Sequence, residues 1–240
     1  MSESHSVDFQ SIARREISGM GLGDADQRRY LNKLGRENIA QIVVFESLQQ
    51  RTAVREKLCV VNTHLHSNVL NSDVKLWQAL KLAEEVKACV ASRDLPILLC
   101  GDFNSEPTSA VYEFMTNGSV LEDHPEIEQA LHNRIPVLPR VQLIGHDLQL
   151  SSAMFDALGK EPDFTNLTGT FRGVLDYIFY NQSRVRILAT CSIPSEAEIV
   201  DACGPGLPCA TFPSDHIMLC CDVAIIPSSS SAGNRQYNFM

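Results

Sequence analysis

No apolar run in this chain reaches the ~18 residues that a membrane-crossing helix needs, so none is expected. The start, Met1–Gln10, lacks a basic segment followed by an apolar stretch, and it lacks Arg-rich, acid-poor character. That reads against a secretory signal or a transit peptide and leaves the cytoplasm or the nucleus as the expected compartment. The eight cysteines include no C-x-x-C pair, which disfavours a zinc site. Cys59, Cys100, Cys220 and Cys221 sit inside apolar runs, so reduced core thiols are expected. No G-x-S-x-G elbow is present, which argues against a serine hydrolase. No basic stripe exists either: 20 Lys and Arg face 29 Asp and Glu, for a net charge of −9. Broad, non-specific binding to a nucleic-acid backbone is therefore disfavoured. An enzyme that holds its substrate locally, through metal ions and a few contacts, is compatible with that charge.

What is present is enough apolar material for one sizeable core, 44% of 240 residues. Asp24–Asn38 is polar and rich in helix formers. Strands are expected at 39–45, 57–62, 95–100, 174–180, 185–191 and 217–225. A long helix is expected over 71–92, where Leu76, Leu80, Ala83, Val86 and Val90 recur at three and four. A shorter helix is expected over 109–115, with Thr108 as its cap and Asn117-Gly118 as a following turn. Pro136 and Pro139 break any long element within 124–150. The Ser-rich residues 227–240 read as a disordered tail after a single domain over 1–226. Mixed order, with strands dominating the last third, suggests a layered α/β or α+β domain.

The chemistry lies where polar groups meet apolar strands. Asp102 follows ILLCG, and an acid emerging there loses hydration unless it is paired or metal-bound. Asn104, two residues on, can face the same way, and an acid beside an amide suits a hard cation or a phosphate oxygen. Gly-Asp-x-Asn is also ordinary turn chemistry. Asp176 falls inside VLDYIF, and strand interiors are depleted in Asp. A solvated strand edge is the alternative, and a functional role stands ahead of it. His64 and His66 flank Leu65 on one face of an extended segment, and a lone histidine in such a place is more often structural. His216 follows Asp215, and an acid can fix an imidazole's tautomer. Adjacent strand residues point apart, however, so a different acid can be its partner. Together, two histidine sites and three acids at strand ends fit metal-assisted hydrolysis of a phosphate ester.

In order, NTHLH, CGDFN, GVLDYIFY and PSDHIML resemble the last four signature segments of the endonuclease/exonuclease/phosphatase superfamily. SDVKLWQALKLAEEV and DFTNLTGTFRGVLDYIFY narrow the likeness to the nuclease subunit of the Ccr4–Not deadenylase, over about Val7 to Ala224. The resemblance implies a DNase-like four-layer α/β sandwich. It implies 3′-to-5′ removal of adenylates from messenger-RNA poly(A) with magnesium ions, and other deadenylase-complex subunits as partners. By resemblance, Asp102 positions the attacking water and Asn104 contacts the phosphate or transition state. His64 contacts the phosphate. His216 is the catalytic histidine at the metal, with Asp215 as its acidic neighbour. Phe171 and Asp176 hold the terminal adenine, a base stacking on an aromatic face. Simple core packing is the plainer account of Phe171.

The sequence departs from the pattern in two places. Family members carry an earlier half, with an Asn-containing strand and a Gln-Glu pair whose Glu binds magnesium. Neither is found here, and Glu46 belongs to a later strand of the pattern. The N-terminal part of the sandwich is therefore expected to be missing, leaving an apolar face uncovered and the 240 residues poorly stable and inactive alone. Ser67-Asn68-Val69 also stands where deadenylases often carry a proline. A phosphodiesterase acting on 2′,5′-oligoadenylate or a dinucleotide phosphate, and a non-catalytic scaffold of a deadenylase assembly, are the competing readings.

Overall fold

A computed structural model describes residues 3–48, 56–90, 93–131 and 135–227. In chain order its elements are β1 (Glu3–Asp8), α1 (Phe9–Gly19), α2 (Asp24–Leu34), β2 (Ile39–Glu46), β3 (Lys57–His64), α3 (Ser72–Val90) and β4 (Ile97–Asp102). Then come α4 (Ala110–Asn117), β5 (Ser119–Leu121), α5 (Pro125–Leu131), β6 (Leu143–Gly145), β7 (Leu150–Ser152), α6 (Ala153–Leu158), β8 (Asn166–Leu167) and β9 (Arg172–Gly173). The last elements are β10 (Asp176–Asn181), β11 (Val185–Thr190), α7 (Glu196–Cys203) and β12 (Cys221–Ile225).

Six strands form one sheet in the order β1-β2-β3-β4-β10-β7. Only β3 and β4 run parallel, and α3 is the crossover that parallel neighbours require. Ala40, Ile42, Val44, Cys59, Val61, Ile97, Leu99, Tyr177 and Phe179 alternate onto one face. That face is buried beneath α1, α3 and α4 in the main core, with Trp77, Phe103 and Phe114 fully enclosed. On the opposite face Val43, Leu58, Val60, Leu98, Cys100 and Ile178 remain half-buried. A two-stranded ribbon, β11–β12, packs there at the β10 end, where Leu98, Ile178, Ile187 and Val223 gather around Ala153, Tyr180 and Val185. This is an α/β sandwich of the DNase-like type, with the ribbon as its second sheet. Among the described residues no helix is long and apolar enough to cross a membrane.

Several boundaries differ from the sequence reading. The polar start is structured: β1 pairs with β2, and Asp8 caps α1 by accepting the N–H groups of Gln10 and Ser11. The cap of α4 is Ser109 rather than Thr108, and Gly118 closes that helix in the left-handed conformation. Strand β10 begins at Asp176 and not at Val174, because Leu175 and Asp176 donate their N–H groups to the Thr165 hydroxyl. Strand β12 begins at Cys221, since Ile217 donates instead to the Thr165 carbonyl. Cys203 and Cys209 correct the all-thiol expectation: they are disulfide-bonded across a loop that brings their Cα atoms to 5.4 Å. The tail expected over 227–240 lies, from residue 228 on, outside the described residues.

Candidate active site

Three strands end side by side, and their register brings the polar residues together. His64 pairs with Asp102 across β3 and β4, and Asp176 pairs with Asp102 across β4 and β10. Register partners share a face, so all three side chains leave the sheet on its ribbon side. Gly101 permits the strands to close at this end. Its φ is +142°, and a Cβ there would lie 1.9 Å from the Thr63 carbonyl oxygen.

His216 comes from the loop before β12. An isolated bridge joins it to Asn166, and Ile217 N–H donates to Thr165 O at 2.7 Å. The imidazole Nδ1 then lies 2.8 Å from Asp176 Oδ2, and Nε2 lies 3.9 Å from Asp102 Oδ2. His64 Nε2 lies 3.4 Å from the same Asp102 oxygen. One donor atom each from Asp102, Asp176 and His216 falls within 4.8 Å of the others. Gly101, Asp102, Asp176, Ser214, His216 and Ile217 line an open cleft of roughly 450 Å³.

Burial lifts the Asp102 carboxyl above its ordinary value, and the neighbouring Asp176 charge adds to the rise. The Asn104 N–H and the two histidines oppose it. Burial pulls His216 down, but its bond to Asp176 and the charges of Asp176, Asp102 and Asp215 carry it above its ordinary value. Two adjacent carboxylates with an imidazole beyond them make an electronegative pocket. That donor set suits a divalent cation, whose charge would relieve the repulsion between Asp102 and Asp176.

Asn104 is tied by two hydrogen bonds. It adopts a left-handed φ of +48°, its N–H donates to Asp102 Oδ1 at 2.7 Å, and its Nδ2 donates to Leu65 O at 3.0 Å. Phe171 is 37% exposed on the turn joining β8 and β9 and is not among the residues that line the cleft. Its ring lies over Gly173, where a Cβ would meet it at 2.7 Å.

The Asp215 carboxylate meets Asn166 Nδ2 at 3.4 Å, and one oxygen of Asp176 is held by His216. His66 does not join His64: its Nε2 meets Asn71 Nδ2 at 3.1 Å. Glu46 lies at the far end of the sheet, opposite Lys57. Thr165 was missed. It is fully buried and ties the strand carrying Asp176 to the loop carrying His216, a role without any short-motif signal.

The pattern of the Endonuclease/Exonuclease/phosphatase family matches residues 18–216. The chain is 33% identical to mouse 2′,5′-phosphodiesterase 12 over 226 residues, covering 91% of this chain and 34% of that protein. It is 31% identical to Arabidopsis thaliana carbon catabolite repressor protein 4 homolog 1, covering 93% of this chain and 40% of that protein. The chain thus spans between a third and two fifths of the length of these relatives. Among solved structures, ANGEL2, a 2′,3′-cyclic phosphatase crystallised with adenosine-2′,3′-vanadate, superposes with a TM-score of 0.67 at 25% identity. That match covers 93% of this chain and 66% of ANGEL2. The chain belongs to the endonuclease/exonuclease/phosphatase family.

Proposed function

We propose that this chain carries the phosphodiester-cleaving centre of a magnesium-dependent 3′-to-5′ exoribonuclease that shortens poly(A). One observation carries the reading: Asp102, Asp176 and His216, remote in sequence, offer donor atoms within 4.8 Å of one another in an open cleft. When bound there, Mg²⁺ would be held by Asp102, Asp176 and His216, and it supplies charge that polarises a phosphoryl oxygen.

The chain's own residues do the rest. Asp102 orients the attacking water and accepts its proton. Asp176 holds His216 with Nδ1 toward itself, so that Nε2 faces Asp102 and the phosphate. His64, two-thirds exposed at the cleft margin, donates to a phosphate oxygen. Asn104 Oδ1 remains available to the ligand, since its Nδ2 is committed to Leu65. Phe171 offers its half-exposed ring to the 3′-terminal adenine. RNA is then the partner, and relatives named as CCR4-Not subunits make other subunits of that assembly further candidates. A second reading, cleavage of 2′,5′-linked oligoadenylate, is favoured by the 33% identity to mouse 2′,5′-phosphodiesterase 12.

Single-turnover assays with enzyme in excess, which read slow cleavage, compare 3′-adenylated RNA, poly(U) and 2′,5′-oligoadenylate with Mg²⁺. The reading expects adenylate release to be fastest from 3′-adenylated RNA and lost in Asp102→Asn. Faster cleavage of 2′,5′-oligoadenylate selects the second reading. Cleavage that survives Asp102→Asn overturns both.

A further inference from the structure

The Asp102–Asn104 turn has a support that no short motif reveals. Lys75 lies in the first turns of α3, is 6% exposed, and sends its ammonium 2.6 Å from the Asn104 carbonyl oxygen. Among the described residues no carboxylate comes within ion-pair distance of it, while the neighbouring Lys33–Asp73 pair does form one. A buried ammonium without a paired carboxylate is unfavourable, and an apolar side chain of similar length would fill the same space at less cost. The position therefore needs an explanation other than packing.

The geometry provides one. Asn104 stands at φ +48°, a left-handed conformation that Asn enters more readily than most residues bearing a side chain. Its side-chain amide is tied to Leu65 and its N–H to Asp102 Oδ1. Its carbonyl would otherwise be free to let the peptide rotate. Lys75 closes that last freedom. On the proposed reading of the cleft, we propose that Lys75 is a positioning residue: through the Asn104 carbonyl it locks the turn whose N–H holds Asp102 Oδ1, and so aims the Asp102 carboxylate into the cleft. Burial holds the ammonium below its ordinary range, and Glu126, Asp102 and Glu106 pull it back.

The test is amide hydrogen exchange on the whole chain, which needs no substrate. Lys75→Met should speed exchange of the Asn104 amide about tenfold or more while the Leu99 amide, deep in β4, stays within about twofold. The same variant should lower kcat about 10–100-fold and change KM far less. Lys75→Arg keeps a charged donor and should retain Asn104 protection; where Met is not tolerated, Lys75→Gln takes its place as the uncharged variant. Unchanged Asn104 exchange in the uncharged variant overturns the proposal. So does equal acceleration at Asn104 and Leu99, which marks a packing role alone. If wild type cleaves no phosphodiester, the proposed function fails while the exchange result still decides whether Lys75 holds the turn.

Discussion

His216 Nδ1 lies 2.8 Å from Asp176 Oδ2, so the acid that orients this imidazole is 40 residues away and not the adjoining Asp215. Substituting Asp176→Asn replaces a charged acceptor with an amide that can present the wrong group to Nδ1. It should lower kcat by about 10²–10⁴-fold or more, since it removes tautomer control of His216 together with a donor to the proposed metal. Asp215→Asn should cost far less. Steady-state or single-turnover rates check the contrast, and equal losses in the two variants would contradict it.

Phe171 should report on base recognition. Removing its ring by Phe171→Ala should weaken binding of 3′-adenylated substrate by about 1–3 kcal/mol, the usual worth of stacking one base on an aromatic side chain. Binding isotherms with an adenylate-ended oligonucleotide read this directly. If affinity is unaltered and melting falls instead, the ring serves packing over Gly173.

Gly101 should be intolerant of any side chain. Beyond the clash with the Thr63 carbonyl, alanine at φ +142° carries backbone strain of about 1–3 kcal/mol. Gly101→Ala should lower the melting temperature and loosen β3 from β4, taking the His64–Asp102 approach with it. Melting curves check the first effect, and activity of the surviving fold checks the second.

His146 predicts a pH dependence of stability. Burial holds its imidazole below the ordinary 6.5 against the opposing backbone bond at Phe114, and Leu148 N–H donates to its Nδ1. The folded state therefore binds the proton less readily than the unfolded chain. Its contribution is present above the unfolded value of 6.5 and is lost as the pH falls from there through the folded value. His146→Phe, which preserves the edge contact with Phe114, should flatten that part of the profile. Urea unfolding of both proteins at about pH 5.5 and 7.5 measures the difference. Identical pH slopes would contradict the assignment.

Much of this architecture is legible in the residues. Apolar runs mark β2, β3 and β4, and the acid and glycine after ILLC mark the site's position. Other features are tertiary. Nothing local says that Asp176 opens its strand, because Thr165, 11 residues earlier, takes its N–H. The apolar period of α3 shows one face, yet the helix is buried around much of its girth. Asp73, Lys75 and Gln78 are thus enclosed polar groups that periodicity assigns to solvent. The Cys203–Cys209 bond depends on a loop closure that spacing alone does not specify. Nor does the pairing of His64 with Asp102 announce itself, since it needs the parallel register of β3 and β4.

Manganese titration followed by electron paramagnetic resonance tests the central claim most directly. Mn²⁺ is a spectroscopic stand-in for Mg²⁺ at oxygen-rich sites. The account predicts saturable binding of one ion, abolished by Asp102→Asn and by Asp176→Asn but retained in Asp215→Asn. No saturable binding, or binding indifferent to both Asp102 and Asp176, would contradict it.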